Sequence, residues 1–485
     1  MSRYTARYAR WIGLAAALMI VIAPRVALAH AHLVRSMPAA GSHLGASPTQ
    51  LQLWYSEAPV AAMTVITITG PGGISVPVGK ISTDPGNSLL LTAPLSAQLA
   101  AGEYTLTWRT VADDGHPSNG SFKFTVDGSA AAAGSIDTAA GSIAASDAKA
   151  DVSPAASAAA NSDQTMAVEA PGYVIARWLN FLGIIIAIGV IVFRVLVVPA
   201  TIAQDESTSF ASFRGRAIHG AATLGLVAGL IVIVASVCRL LAERAVLGAG
   251  ISIGTIMNSF WGRVWIEQLV AAIIACFAFA LARGAQQGTQ RNGAWLVATL
   301  AVLALGTMPA LSGHAIAASE HRNISVALDI IHVLAAGGWL GGLCALVLAG
   351  VPAALATRAE AQNAEAAAGL SLIARLVNAF SPIALVLASC VVVTGAIAAW
   401  MHVGSFALLF NSRYGTVLLI KLVFVVLVIA GGAFNWRRMR GALSRHDTEQ
   451  TAVGTFRRSA GFELAAGVLV IAVTAVLVAA QPPLH

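Results

Sequence analysis

Two patterns of apolar and polar positions divide this chain. Between residues 30 and 127, apolar residues alternate with polar ones. Leu51, Leu53 and Tyr55 form one such run, and Thr64, Ile66 and Ile68 a second. Tyr104, Leu106 and Trp108 form a third, and Phe122, Phe124 and Val126 a fourth. A period of two places each set on one face of a strand. Turn-forming clusters separate the runs: Gly70-Pro71-Gly72-Gly73, Asp84-Pro85-Gly86-Asn87 and Asp113-Asp114-Gly115-His116-Pro117. Short alternating strands with such turns predict a small all-β sandwich or barrel. From Gly172 onward the alternation gives way to eight apolar blocks, near 174–199, 217–240, 263–282, 294–312, 324–351, 374–400, 415–435 and 461–480. About 20 apolar residues in a helix cross the hydrocarbon layer of a bilayer. The second half is therefore expected to be an all-α polytopic membrane bundle of about eight transmembrane helices.

Residues 128–170 hold mostly Ala, Ser, Gly and Asp. They carry too little apolar surface to fold alone and read as a flexible linker. At the start of the chain, Arg3, Arg7 and Arg10 precede the apolar stretch from Trp11 to Ala23, and Ala27-Leu28-Ala29 supplies a small-residue cleavage site. The expected organisation is a signal peptide over 1–29, a β domain over 30–127, a linker over 128–170 and a membrane domain over 171–485.

Composition sharpens this reading. The 485 residues are 57% hydrophobic and 11% charged, with a mean hydropathy of +0.77. Soluble proteins carry about 25% charged residues. The net charge of +7 comes largely from arginines between apolar blocks. They form no single basic face, so nucleic acid is not an expected partner. With the β domain exported, twelve of these arginines, from Arg214 to Arg458, fall on the cytoplasmic side, and six fall outside. This bias places the chain in the cytoplasmic membrane, with its N-terminal domain and C-terminus on the periplasmic or extracellular side. Cys238, Cys276, Cys344 and Cys390 all lie in the apolar half, match no CxxC spacing and read as packing residues.

Cleavage after Ala29 would leave His30 with a free α-amino group. The amine and the imidazole then form a chelate. An α-amino pKa of about 7.7–8.0 lets a metal displace the proton at little cost. Planar nitrogen sets favour Cu(II). The plainer alternative is that cleavage happens to fall before a histidine. His32 offers a second N-terminal chelate through the intervening amides.

In the membrane half, His314 ends the fourth helix, His332 lies about two turns into the fifth and His402 follows the sixth. All fall on the outer side. Asp329 and His332 are three apart and share a helix face, with Trp339 on the same stripe. Ionisable residues inside a membrane are costly and point to function. A neutralised cluster of Asp329, Glu267, Lys421 and His332 would relieve that cost. For Lys421 and Glu267 a structural network holding helices in register is the simpler reading. Met257, Met308 and Met401 lie near the same face. Their thioethers suit Cu(I), although core filling also accounts for them. Gly337/Gly341 and Gly338/Gly342 predict a close helix crossing just inward of His332.

Two stretches carry a family resemblance. His30-Ala31-His32-Leu33 through Pro38, the run Trp54 to Val60, Gly102-Glu103-Tyr104, Trp108-Arg109, Asp113 to Pro117, Gly120 and Phe122 resemble the CopC copper-resistance family. Ser312 to Ala315, Asp329, His332, Gly338-Trp339, Gly341, Phe380-Ser381-Pro382, Thr394-Gly395, Tyr414-Gly415, Lys421 and Asn435 resemble the CopD membrane family. The whole chain resembles a CopC–CopD fusion. The resemblance implies a cupredoxin-like, Ig-like Greek-key sandwich that binds Cu(II). Its ligands would be the amine and imidazole of His30, the carboxylate of Asp114 and the imidazole of His116. This tetragonal N₃O set suits Cu(II). Residues 63–100 contain only Met63, which argues against a methionine-rich Cu(I) site in this domain.

The resulting expectation is a copper-binding membrane protein, not an enzyme. It would capture Cu(II) outside and pass it to the bundle for import or resistance, with His314, His332, His402, Asp329, Met308 and Met401 along the path. An external copper donor or reductant is an expected partner beside the lipid bilayer. No GxxxxGK[ST] loop is present, so transport would draw on a gradient or a partner. The rival readings are a haem-binding electron-transfer protein, an oxidising copper enzyme, and a copper buffer or sensor without transport.

Overall fold

The computed structural model describes residues 33–56, 58–111, 117–127, 171–202, 208–247, 252–285, 288–312, 322–360, 366–403, 406–442 and 449–478. The expected signal peptide and linker lie outside these residues.

The alternating runs form a sandwich of two sheets. One sheet is ordered β1 (Leu33–Met37), β3 (Gln50–Tyr55), β7 (Asn87–Pro94), β6 (Ser82–Asp84). The other is ordered β2 (His43–Leu44), β9 (Pro117–Val126), β8 (Gly102–Val111), β4 (Val65–Thr69), β5 (Ser75–Val76). The apolar positions of each run face inward. Leu51, Leu53, Tyr55, Ile68, Leu106, Trp108 and Phe124 are all buried in one core. Tyr55 meets Trp108 edge to face at 5.4 Å, and Tyr104 stacks on Phe124 at 5.6 Å. The first contact joins the two sheets, the second ties β8 to β9 within one sheet, and both add directional preference to area burial. Burial pushes the Tyr55 phenol well above its ordinary pKa.

Among the described residues, eight helices are long and apolar enough to span a bilayer. They are α1 (171–202), α2 (Thr208–Leu247), α4 (Phe260–Gly284), α5 (Thr289–Leu311), α6 (322–360), α7 (Ala366–Val403), α9 (Arg413–Ala442) and α10 (Glu449–Leu477). Two short helices, α3 (Ile253–Asn258) and α8 (Phe406–Asn411), precede α4 and α9. All eight expected apolar blocks coincide with these spans. Ile273, Phe277, Leu385, Val386, Val423 and Val426 are exposed on helix flanks, as lipid-facing side chains are. The chain is a multi-pass membrane protein.

The most enclosed helix, α6, packs on α1 through its glycines. A Cβ on Gly341 would stand 1.9 Å from the Ile185 carbonyl oxygen, and one on Gly189 would stand 1.8 Å from the Gly341 carbonyl carbon. The two backbones are therefore in direct contact, the close crossing that small residues permit in lipid. Around it α6 widens into π turns at Gly337–Gly341 and Leu346–Gly350, and α1 does so at Phe193–Val197. A π turn adds a residue and rotates the rest of the helix about its axis. The sandwich and the bundle also touch, where the 3-10 turn Ala61–Met63 meets α3.

Gly189→Ala and Gly341→Ala should each destabilise the bundle by about 1–3 kcal/mol or more, because the backbones must separate. Gly461→Ala, with open space around its Cβ, should be neutral. Thermal unfolding in detergent checks both outcomes, and equal melting of all three variants would refute the crossing.

Candidate functional site

Asp329 and His332 lie on α6 ahead of the glycine crossing, and both are partly buried. His332 Nδ1 is 2.9 Å from Thr394 Oγ1 on α7. Thr394 donates its single hydroxyl hydrogen to the Cys390 carbonyl at 2.6 Å. With its hydrogen so placed, it accepts from the ring when the imidazole proton sits on Nδ1, the tautomer in which Nε2 can ligate a metal. The Val391 backbone is a further hydrogen-bond partner of the ring. A Cβ on Gly395 would stand 3.2 Å from His332 Cε1, so the glycine makes room for the ring. From α9, Lys421 acts electrostatically on His332. Asp329 acts in turn on Lys421 and on Tyr414. Helices α6, α7 and α9 thus bring a carboxylate, an ammonium, an imidazole, a threonine hydroxyl and a phenol into one cluster, in which the buried charges offset each other.

The other expected residues fare differently. Glu267 does not join this cluster. It is exposed on α4, because its neighbour Gln268 takes the inward position on that helix. Met308 is buried beside Val264 and Leu311. Met401 is partly buried near the end of α7. His402 belongs to α7, but its side chain lies outside the described residues, as do His30, His32, Asp114, His116 and His314. Among the described residues no three His, Cys, Asp or Glu side chains converge as a metal cage. The four cysteines are free thiols.

A second polar cluster has no counterpart among the sequence expectations. Asn180 of α1, Ser236 of α2 and Gln268 of α4 are buried and joined side chain to side chain. Gln268 Nε2 donates to Asn180 Oδ1 at 3.0 Å and to Ser236 Oγ at 2.7 Å. Arg177, Arg239 and Glu243 continue this seam and are also buried. Arg177 reaches the Ala475 carbonyl at 3.4 Å and lies over the Tyr173 ring. By position in the chain, Arg177 and Arg239 count only as outer-edge charges. Asn180 and Gln268 carry no charge, although an amide inside an apolar helix also requires a partner, and that is the signal by which they could have been found.

In the sandwich, the start of β1 and the end of β8 lie at one end. Leu33 pairs with Tyr55, Tyr55 touches Trp108, and β8 runs three residues further to Val111, paired with Pro117 of β9. The Val60 amide donates to the Val111 carbonyl at 2.8 Å. This is the end that touches the bundle.

Comparison with known proteins adds to this geometry. Residues 33–127 match the CopC domain, 166–323 the copper resistance protein D-like N-terminal domain, and 374–477 copper resistance protein D. The copper transport protein CutJ of Bacillus subtilis (strain 168) is 24% identical over 90% of this chain and 74% of its own length. Copper resistance protein C of Pseudomonas syringae pv. tomato is 34% identical over 24% of this chain and 94% of its own. The crystal structure of CopC from Methylosinus trichosporium OB3b aligns with a TM-score of 0.20 and 29% identity, covering 21% of this chain and all of that one.

The charge compensation around Asp329 has a measurable signature. Lys421→Met or Asp329→Asn alone should cost about 1–3 kcal/mol, because each leaves a partly buried charge uncompensated. The double variant should cost clearly less than the sum. A thermal-unfolding cycle in detergent measures this coupling, and strict additivity would refute the interaction.

Proposed function

The chain belongs to the copper-resistance family that joins a CopC domain to a CopD membrane domain, and from that premise we propose that it captures Cu(II) outside the cytoplasmic membrane and hands it to the bundle. Copper is the cargo of both parts. After removal of residues 1–29, His30 supplies an amine and an imidazole, His116 an imidazole and Asp114 a carboxylate to one Cu(II). His32 is the alternative N-terminal ligand.

The observation that carries this reading is the shared end of the sandwich. His30 is three residues before Leu33, and Asp114 and His116 fall between the paired residues Val111 and Pro117. Both segments are covalently attached at that end, and the same end meets the membrane domain. The path from capture to membrane is therefore short.

Within the bundle His332 is the receiving group. Its Nε2 lone pair is free to ligate copper while Thr394 fixes the ring from the other nitrogen, the arrangement that orients metal-binding histidines generally. Asp329 supplies negative charge beside it, and Lys421 balances that charge when no cargo is present. His314 and His402, with Met308 and Met401, extend the path toward the outer face. Neither part requires catalytic turnover of a substrate, in keeping with a carrier.

Mass spectrometry should find a mature chain beginning at His30. In Cu(II) titration of the full chain, His30→Ala, Asp114→Ala or His116→Ala should weaken the tightest site by more than the 10–100-fold typical of outer-shell changes. Little change in all three would reject the ligand set. In copper-loaded vesicle assays His332→Ala should abolish uptake, and Thr394→Val should lower it by about tenfold. Undiminished uptake in both would exclude His332 from the path.

A further inference from the structure

The contact between sandwich and bundle is the feature that capture and transfer leave unassigned. Met63 is only 2% exposed, yet it takes no part in the sandwich core. It packs instead with Val111 of β8 against Ile256 of α3 and Trp261 of α4. The platform beneath is firmly built. Ser252 caps α3 and Ser259 caps α4, each side-chain oxygen accepting a backbone N–H at 3.1 Å. A Cβ on Gly262 would stand 2.1 Å from the Ile256 carbonyl oxygen, so the α3–α4 elbow closes tightly on itself. A pair of opposite charges lies near this apolar patch. Arg109 of β8 lies in the field of Glu243 of α2. Burial lowers the Arg109 pKa, and the Glu243 carboxylate opposes that shift. Glu243 is itself only 4% exposed and acts electrostatically on Arg177, whose like-charged neighbour Arg239 acts in the opposite sense.

The docked surface also connects to the buried polar seam. Trp265 packs against the Met63–Trp261 cluster, and its indole N–H donates to the Ser236 carbonyl at 2.8 Å. Ser236 is the residue that accepts from Gln268. One side chain therefore touches both the docking patch and the α1–α2–α4 seam.

We propose that Met63, Val111 and Arg109 of the sandwich, with Ile256, Trp261 and Glu243 of the bundle, form a dedicated docking interface whose partner is the chain's own β domain. An apolar centre of four buried side chains with one pair of opposite charges near it has the scale of a transient contact rather than an obligate one. The interface holds the copper-bearing end of the sandwich against the outer end of α2 and α4. This function rests on the capture-and-transfer reading, but the contact itself does not.

The test uses the full chain in nanodiscs, with Cys238, Cys276, Cys344 and Cys390 replaced by serine. Ala61→Cys on the 3-10 turn and Thr255→Cys on α3 provide a pair for a short bis-maleimide. The substitutions that probe docking, Met63→Glu and Arg109→Glu, lie on the sandwich outside its core, so the sandwich itself stays folded. The expected result is an intramolecular crosslink whose yield falls at least about tenfold in each variant and is kept by Arg109→Lys. Cu(II) titration of the variants should be unchanged, so a parallel fall in vesicle uptake reports lost docking rather than lost capture. Three results would overturn the proposal: crosslinks unaffected by both Met63→Glu and Arg109→Glu, crosslinks that join two chains, or uptake that persists when the crosslink is lost.

Discussion

Within a bilayer, every polar group withdrawn from water must find its partner in the protein, and this requirement organises the bundle. Hydroxyls in the spans return their hydrogen to the preceding turn, as Thr394 does to Cys390 and Thr299 to Trp295. Amides pair across helices, as Gln268 does with Asn180. Charges gather where opposite charges are available, as Lys421 does near Asp329. Two polar clusters result, one on α1, α2 and α4 and one on α6, α7 and α9. Between them, α1 and α6 meet backbone to backbone at Gly189 and Gly341. That contact draws the two halves together without a polar side chain in it.

The His332 cluster obeys the same requirement. Thr394 has one hydrogen, which goes to the Cys390 carbonyl, and its oxygen stands 2.9 Å from His332 Nδ1. Gly395 sets the room for the ring. The orientation of the imidazole is thus a consequence of satisfying a hydroxyl on a neighbouring helix. The sandwich obeys a different logic. Its core is apolar and aromatic, and its functional end is where strands finish and the chain meets the membrane domain.

The class of the fold was legible at once. A period of two and blocks of about 20 apolar residues are local signals, and each expected strand run and each span matches an observed element. Asp329, His332 and Lys421 were legible as a cluster because charge inside an apolar block has few alternatives. Glu267 was misread. Helical position within a span does not say which of two adjacent polar residues turns inward, and here Gln268 does. The seam went unseen because its members are spread over residues 177 to 268 and several are uncharged.

By itself, then, the chain's order of residues determined four of the strands and the existence of the eight spans, because those depend on periodicity and length. The tertiary structure alone decided which helices share a polar cluster, that Thr394 holds His332, and that Met63 serves the membrane domain rather than the sandwich core. Those outcomes depend on contacts between residues far apart in the chain. No local pattern records them, since each helix presents several faces and only packing selects among them.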